Sequence, residues 1–178
     1  MNPVRIVAPV ATVVSLADLR LQLDADPNDT TQDGMIQDIA AECVAMLDGY
    51  RGELQRAIMP QTWREDFDGW GDLRLMLPDV QSVVVTYFDG TDYIAAPSAV
   101  LKYDRRGSYV ETDGPDAESI RVDYVVQMPD DILPSVQAAV KLYTRFRYDH
   151  RGGADPQALA AFQRAFQAQI SHARARRL

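Results

Sequence analysis

The residues of this chain with the widest chemical range are His150, His172 and Cys43, the only two histidines and the only cysteine. A metal site of the HExxH kind needs two histidines one helical turn apart with a glutamate between them, and CxxC needs two cysteines. Neither spacing occurs. His150 falls in the Tyr148–Gly153 turn, where a histidine suits the negative end of a helix dipole. His172 stands near Arg174, Arg176 and Arg177, as part of a basic surface rather than as a base. Cys43 lies on an apolar helical stripe and reads as a small buried hydrophobe. A single cysteine rules out an internal disulfide and is compatible with a reducing compartment.

The carboxylates offer no better setting. Asp24-Ala-Asp26-Pro-Asn28-Asp29 resembles the opening of a calcium loop, but the positions that require glycine and glutamate hold Asp29 and Met35. Asp66 and Asp68 share one face of a predicted strand, and Asp130 and Asp131 are adjacent. In a chain with 26 acids, such neighbours arise by chance. There is no GxSxG elbow for a serine nucleophile and no glycine-rich phosphate loop. The expectation is a protein with no catalytic centre, no metal and no cofactor.

Charge is more informative than any motif. The net charge of −8 is unevenly spread. Residues 15–55 carry nine acids and two arginines, residues 61–131 fifteen acids against six bases, and residues 141–178 eight bases against two acids. An acidic body with a basic C-terminal end suits a head-to-tail neighbour or an acidic partner. It does not suit specific nucleic-acid binding, because the body would repel phosphates. No apolar run approaches the ~20 residues that span a bilayer. Met1–Val14 is broken by Pro3 and Pro9 and lacks a basic start, so neither a signal peptide nor a membrane segment is expected.

The elements that would carry these residues follow from hydrophobic period. Residues 1–14 read as an extended arm. Ser15 precedes Leu16, Leu19 and Leu23 with Asp18 three positions on, a capping box that predicts a short helix over 16–23. Ile36, Ile39, Ala40, Cys43, Leu47 and Tyr50 recur at helical spacing and predict a helix from Thr31 or Gln32 to Tyr50. From Gln61 the period changes to two, through Trp63-Glu65-Phe67, Leu73-Leu75-Leu77, Val83-Val85-Tyr87 and Ile120-Val122-Tyr124-Val126. Strands are expected only between Gln61 and Gln127, with a tight hairpin turn at Asp89-Gly90. Helical spacing returns after Pro129. Pro134 opens one helix, and Asp155-Pro156 caps another with the stripe Leu159, Phe162, Phe166 and Ile170.

The order of landmarks along the chain is similar to that of phage head–tail connector proteins. Val14–Leu23 followed by an acidic turn and the helix Ile36–Tyr50 resembles their N-terminal part. Gly52 followed by Ala57-Ile58-Met59-Pro60-Gln61-Thr62-Trp63 resembles their "G-R-x-L-x-x-Q-T-W" link from helix to sheet. Leu75-Met76-Leu77-Pro78-Asp79-Val80-Gln81-Ser82-Val83 resembles the "L-P-x-x-P-V-x-S-V" strand entry. Val125–Ile132 with Ala138 or Ala139 echoes the passage into the last helices. The resemblance spans Ser15–Arg151. Two places depart from the pattern: Glu53-Leu54-Gln55-Arg56 adds length to the link, and Asp79 stands where the strand entry often has a second proline.

The expected fold is α+β, a helical bundle with a small antiparallel sheet inserted in the middle. It is read as one domain over 1–178, with an arm at 1–14, N-terminal helices at 15–60, a β insertion at 61–128 and C-terminal helices at 129–178. What the resemblance implies is a structural adaptor, not an enzyme. It would form a ring, typically dodecameric, beneath the portal protein in the neck of a tailed phage or a gene transfer agent, assembled in the bacterial cytoplasm. It would meet a stopper or tail protein on its other side, and DNA would pass through its channel without specific binding. Portal docking is expected at Phe162, Arg164, Phe166, Ile170, Arg174, Arg176 and Arg177, although the apolar stripe is equally suited to core packing. The alternatives are another neck protein (a stopper or tail terminator), or a small hydrolase or binding module without recognisable motifs.

Overall fold

The computed structural model describes residues 2–26, 28–112, 114–115 and 117–175. Over these the chain forms four helices and eight strands and divides into two compact units. Of the described residues, one unit takes in those of 12–54 and 129–174 and holds the helices; the other takes in those of 2–11 and 55–128 with residue 175 and holds the strands.

In the helical unit, α1 (Leu16–Gln22) begins as the capping box requires. The Ser15 hydroxyl oxygen accepts from the Asp18 N–H at 3.1 Å and donates to the Asp18 carboxylate at 2.8 Å. The second helix, α2 (Asp33–Leu47), buries Ile36, Ala40, Cys43 and Leu47 on one face. It stops short of Tyr50 because Gly49 takes φ 83° and the chain folds back on the helix end. A Cβ on Gly52 would lie 2.3 Å from the Leu47 carbonyl oxygen, so only glycine permits this return. The third helix, α3 (Leu133–Asp149), packs on α1, α2 and α4 (Pro156–Ile170). Asp155 caps α4, accepting from the Gln157 and Ala158 N–H groups at 2.9 Å each.

The expectation of a small sheet is corrected: the strands make two antiparallel sheets. The larger runs β1 (Val4–Val7), β2 (Gln61–Phe67), β8 (Ile120–Val126), β4 (Val80–Phe88), β5 (Tyr93–Ala95) in spatial order. The smaller runs β3 (Leu73–Arg74), β7 (Gly107–Glu111), β6 (Val100–Asp104). Strands are also not confined to Gln61–Gln127, since β1 lies in the N-terminal arm. Its four residues have no period of their own and become a strand by pairing with β2, Val4 opposite Arg64 and Arg5 opposite Trp63. The Asp89-Gly90 turn is a four-residue loop, with Phe88 opposite Tyr93. There the Asp89 carboxylate accepts from the Thr91 and Asp92 N–H groups at 2.8 and 2.9 Å.

Strand β8 is central, and its alternation sorts the two faces of the larger sheet. Ile120, Val122, Tyr124 and Val126 are buried with Trp63 and Val85. Between them a carboxylate enters the core: Glu65 accepts from the Tyr124 hydroxyl at 2.5 Å and from the Met76 N–H at 2.9 Å. Burial pushes its pKa up, and these two hydrogen bonds oppose that shift. By joining β2 to the segment after β3, Glu65 ties the larger sheet to the start of the smaller one.

Candidate interaction surface

The C-terminal stripe is where sequence reasoning placed the apolar part of a docking surface. The structure turns Phe162 and Phe166 of this stripe toward α3. Phe162 stacks on Phe146 with centroids 4.1 Å apart and planes 8° from parallel. Tyr143 meets Phe162 and Phe166 at 6.1 and 6.0 Å, and Phe146 also stacks on His150 at 4.5 Å. Phe166 is buried and Ile170 fully so, while Phe162 is half-buried. Phe166 and Ile170 thus pack within the helical unit, while Leu159 is exposed.

The arginines part company. Arg164 is exposed on α4. Arg174 is tied to its own chain, donating to Glu53 and, at 2.5 Å, to the Gln167 side-chain oxygen. Gln167 in turn donates to the same Glu53 carboxylate at 3.0 Å. Arg176 and Arg177 lie outside the described residues.

The groups with chemical range are all taken up by local structure. His150 is the C-cap of α3, with Nδ1 3.0 Å from the Phe146 carbonyl oxygen. His172 Nε2 lies 2.6 Å from the Ser135 hydroxyl. Cys43 is fully buried and its thiol is pushed up to about 12, first by burial and then by Glu42 and Glu53. A thiol so placed is not a nucleophile at neutral pH. Asp66 pairs with Arg121 at 3.0 Å across the sheet. Among the described residues, no group of three or more His, Cys, Asp or Glu side chains is placed to hold a metal ion. No described helix is long and apolar enough to cross a membrane.

Sequence reasoning missed the outer face of the larger sheet and its edges. Arg64 grips Asp123 with two hydrogen bonds of 2.6 and 2.7 Å, and Arg121 lies over the Tyr93 ring at 3.9 Å. This face therefore neutralises its own charges, and around them Val4, Val84, Phe88 and Tyr93 are exposed. Strand alternation could have shown the face. That β1 borders it could not be read without the pairing.

No protein-family model and no curated protein matches the chain. Solved structures of particles do. The chain is similar to one from the neck of an empty gene transfer agent particle computed with C6 symmetry, with a TM-score of 0.70 and 19% identity. It is also similar to one from the virion of a native gene transfer agent particle, with a TM-score of 0.69 and 19% identity. Each match covers 100% of this chain and 97% of the other. At this identity the likeness establishes a shared fold across the whole length.

Proposed function

We propose that the chain is a head–tail connector, or adaptor, subunit in the neck of a tailed phage or gene transfer agent particle. The observation that carries this is the full-length likeness to a chain of a gene transfer agent neck, end to end and in both units. The sequence landmarks of connector proteins support it from a separate direction. The burial or local pairing of Cys43, His150 and His172 fits a structural role rather than an enzymatic one.

In this reading the two units work as one connector domain over 1–178, with the four helices as its bundle. The subunits form a ring beneath the portal, extend the DNA channel, and offer the far side to a stopper or tail protein. A twelve-subunit ring is consistent with the sixfold symmetry used for the similar neck. The acidic strand unit would let DNA slide without adhering, since phosphate binding needs Lys and Arg. With Phe166 and Ile170 buried, portal docking falls to the exposed Arg164 and the basic chain end, with Arg174 contributing if it exchanges Glu53 for a portal acid. Assembly would take place in the bacterial cytoplasm.

The test is to image the purified protein by negative stain, alone and mixed with the portal of the same particle, and to weigh the complexes. A ring of about twelve copies of the 19.9 kDa subunit capping the portal is the expected result. Binding to the far side of another neck protein, and not to portal, would make it a stopper or tail terminator. A monomer that ignores portal and turns over a substrate would overturn the structural reading.

A further inference from the structure

We propose that successive subunits join through the two ends of the larger sheet, β1 of one copy adding to β5 of the next. The proposal rests on the ring reading above and names the surface that would build the ring.

Among the described residues, β1 and β5 are the two end strands of the larger sheet, each paired with a strand on one side only. Monomeric proteins usually protect such edges with charges or by covering them. Here the edge residues are mostly apolar. In β1, Val4 is 60% and Val7 52% exposed, and Ile6 is exposed as well. In β5, Tyr93, Ile94 and Ala95 are all exposed. Pro3 and Pro9 bracket β1, which limits any added pairing to a short stretch. The two edges differ in length by one residue, four against three.

The arrangement selects a second copy as the occupant. The edges lie at opposite ends of one sheet, so pairing one with the other is head-to-tail, the kind of contact that propagates into rings. Pairing β1 with β1 would instead stop at a dimer. The neighbouring face adds no charge barrier, because Arg64–Asp123 and Arg121–Asp66 are already paired within the subunit.

Register makes the proposal specific. Val4 sits opposite Arg64 and Val7 opposite Thr62, both on the outer face. That face continues through Asp123 and Val84 to Thr86, which sits opposite Ala95. A continuous sheet would thus bring Val4 or Val7 of one subunit near Ala95 of the next. The strands β1 and β5 run the same way, so the added pair is parallel, and neighbouring strands lie about 4.7–4.9 Å apart, within disulfide range.

The experiment combines Val4→Cys or Val7→Cys with Ala95→Cys in the full chain, oxidised on portal, with the buried Cys43 as an inert background. Disulfide ladders that climb beyond the dimer in at least one pairing, and are absent from each single variant, are the expected result. Val4→Lys with Val7→Lys should raise the concentration for half-assembly at least tenfold while leaving the far-ultraviolet spectrum unchanged. Wild-type rings without any ladder, together with normal rings from the lysine variant, would overturn the edge contact and leave the connector reading standing. A disulfide that stops at the dimer in a Val4→Cys or Val7→Cys single variant would overturn it in favour of β1–β1 pairing. If the wild type forms no ring on portal, the edge contact and the connector reading both fall.

Discussion

Arg56 and Asp79 form an ion pair, Nε to Oδ2 3.1 Å, with side chains only 11% and 17% exposed. These are the two places where the sequence leaves the connector pattern: Arg56 belongs to the lengthened link, and Asp79 stands in for a proline. Asp79 has φ 62° and the preceding link turns at Gln55 with φ 51°. Proline is locked near φ −65°, so this backbone excludes it, whereas aspartate tolerates the left-handed region. The two departures meet in one ion pair, between the end of the Glu53–Arg56 segment and the aspartate at the strand entry.

Asp79→Pro should therefore cost about 3 kcal/mol or more by urea unfolding. Asp79→Ala should cost less, about 1–3 kcal/mol, because the Nε–Oδ2 contact to Arg56 is an ion pair without a hydrogen bond. Replacing both by uncharged residues of similar size, Arg56→Met with Asp79→Asn, should cost less than the sum of those two single replacements. Strictly additive losses would show that the pair is not coupled.

The cross-strand pair Arg64–Asp123 calls for a smaller figure. Both side chains are about a third exposed, so water and salt screen them in spite of the two short hydrogen bonds. A double-mutant cycle with Arg64→Ala and Asp123→Ala should give a coupling of about 1 kcal/mol at low salt, shrinking by half or more in 1 M salt. A coupling that salt leaves untouched would mean the pair is more shielded than its exposure indicates.

What the sequence made legible was whatever depends on neighbours in the chain. Ser15 with Asp18, and Asp155 with Pro156, mark helix starts through hydrogen bonds two or three residues long. The alternation from Ile120 to Val126 shows a strand because the period of two is intrinsic to the backbone. What escaped depends on distant partners. Val4–Val7 is a strand only because β2 is beside it. Phe166 and Ile170 look identical as core or as docking surface until Tyr143 and Phe146 are seen against their helix. Asp79 gave no sign that Arg56 was its partner.

Alkaline stability should report the packing of α2 on α3. Burial and neighbouring acids push the Cys43 thiol up to about 12 from 9.0. Burial, with Glu42 beside it, pushes the Tyr143 hydroxyl up to about 12 from 10.0. Both groups hold their protons more tightly when folded than unfolded. Their contribution is complete below pH 9 and is lost as pH climbs toward 12. Urea midpoints should fall across that range, and Cys43→Ala with Tyr143→Phe should flatten the decline. A thiol reagent should leave native Cys43 unmodified at pH 8 and react once urea unfolds the chain.

The last expectation concerns the basic end. Arg164 is exposed and Arg174 is occupied by Glu53 and Gln167, while Arg176 and Arg177 follow in the sequence. Exposed charges steer association more than they hold a complex, each pair adding only ~0–1 kcal/mol. Reversing Arg164, Arg176 and Arg177 to glutamate should slow association with portal about tenfold at low salt and flatten its salt dependence. The dissociation rate should change by less than about threefold, since the steering charges are not the buried contact. Arg174→Glu should behave differently, placing two acids against each other at Glu53 and lowering the unfolding midpoint of the helical unit. Stopped-flow association at several salt concentrations, read beside urea unfolding of each variant, separates the two classes. If the triple reversal leaves the association rate and its salt slope unchanged, portal docks elsewhere, and the arginine-rich end is a solvated terminus.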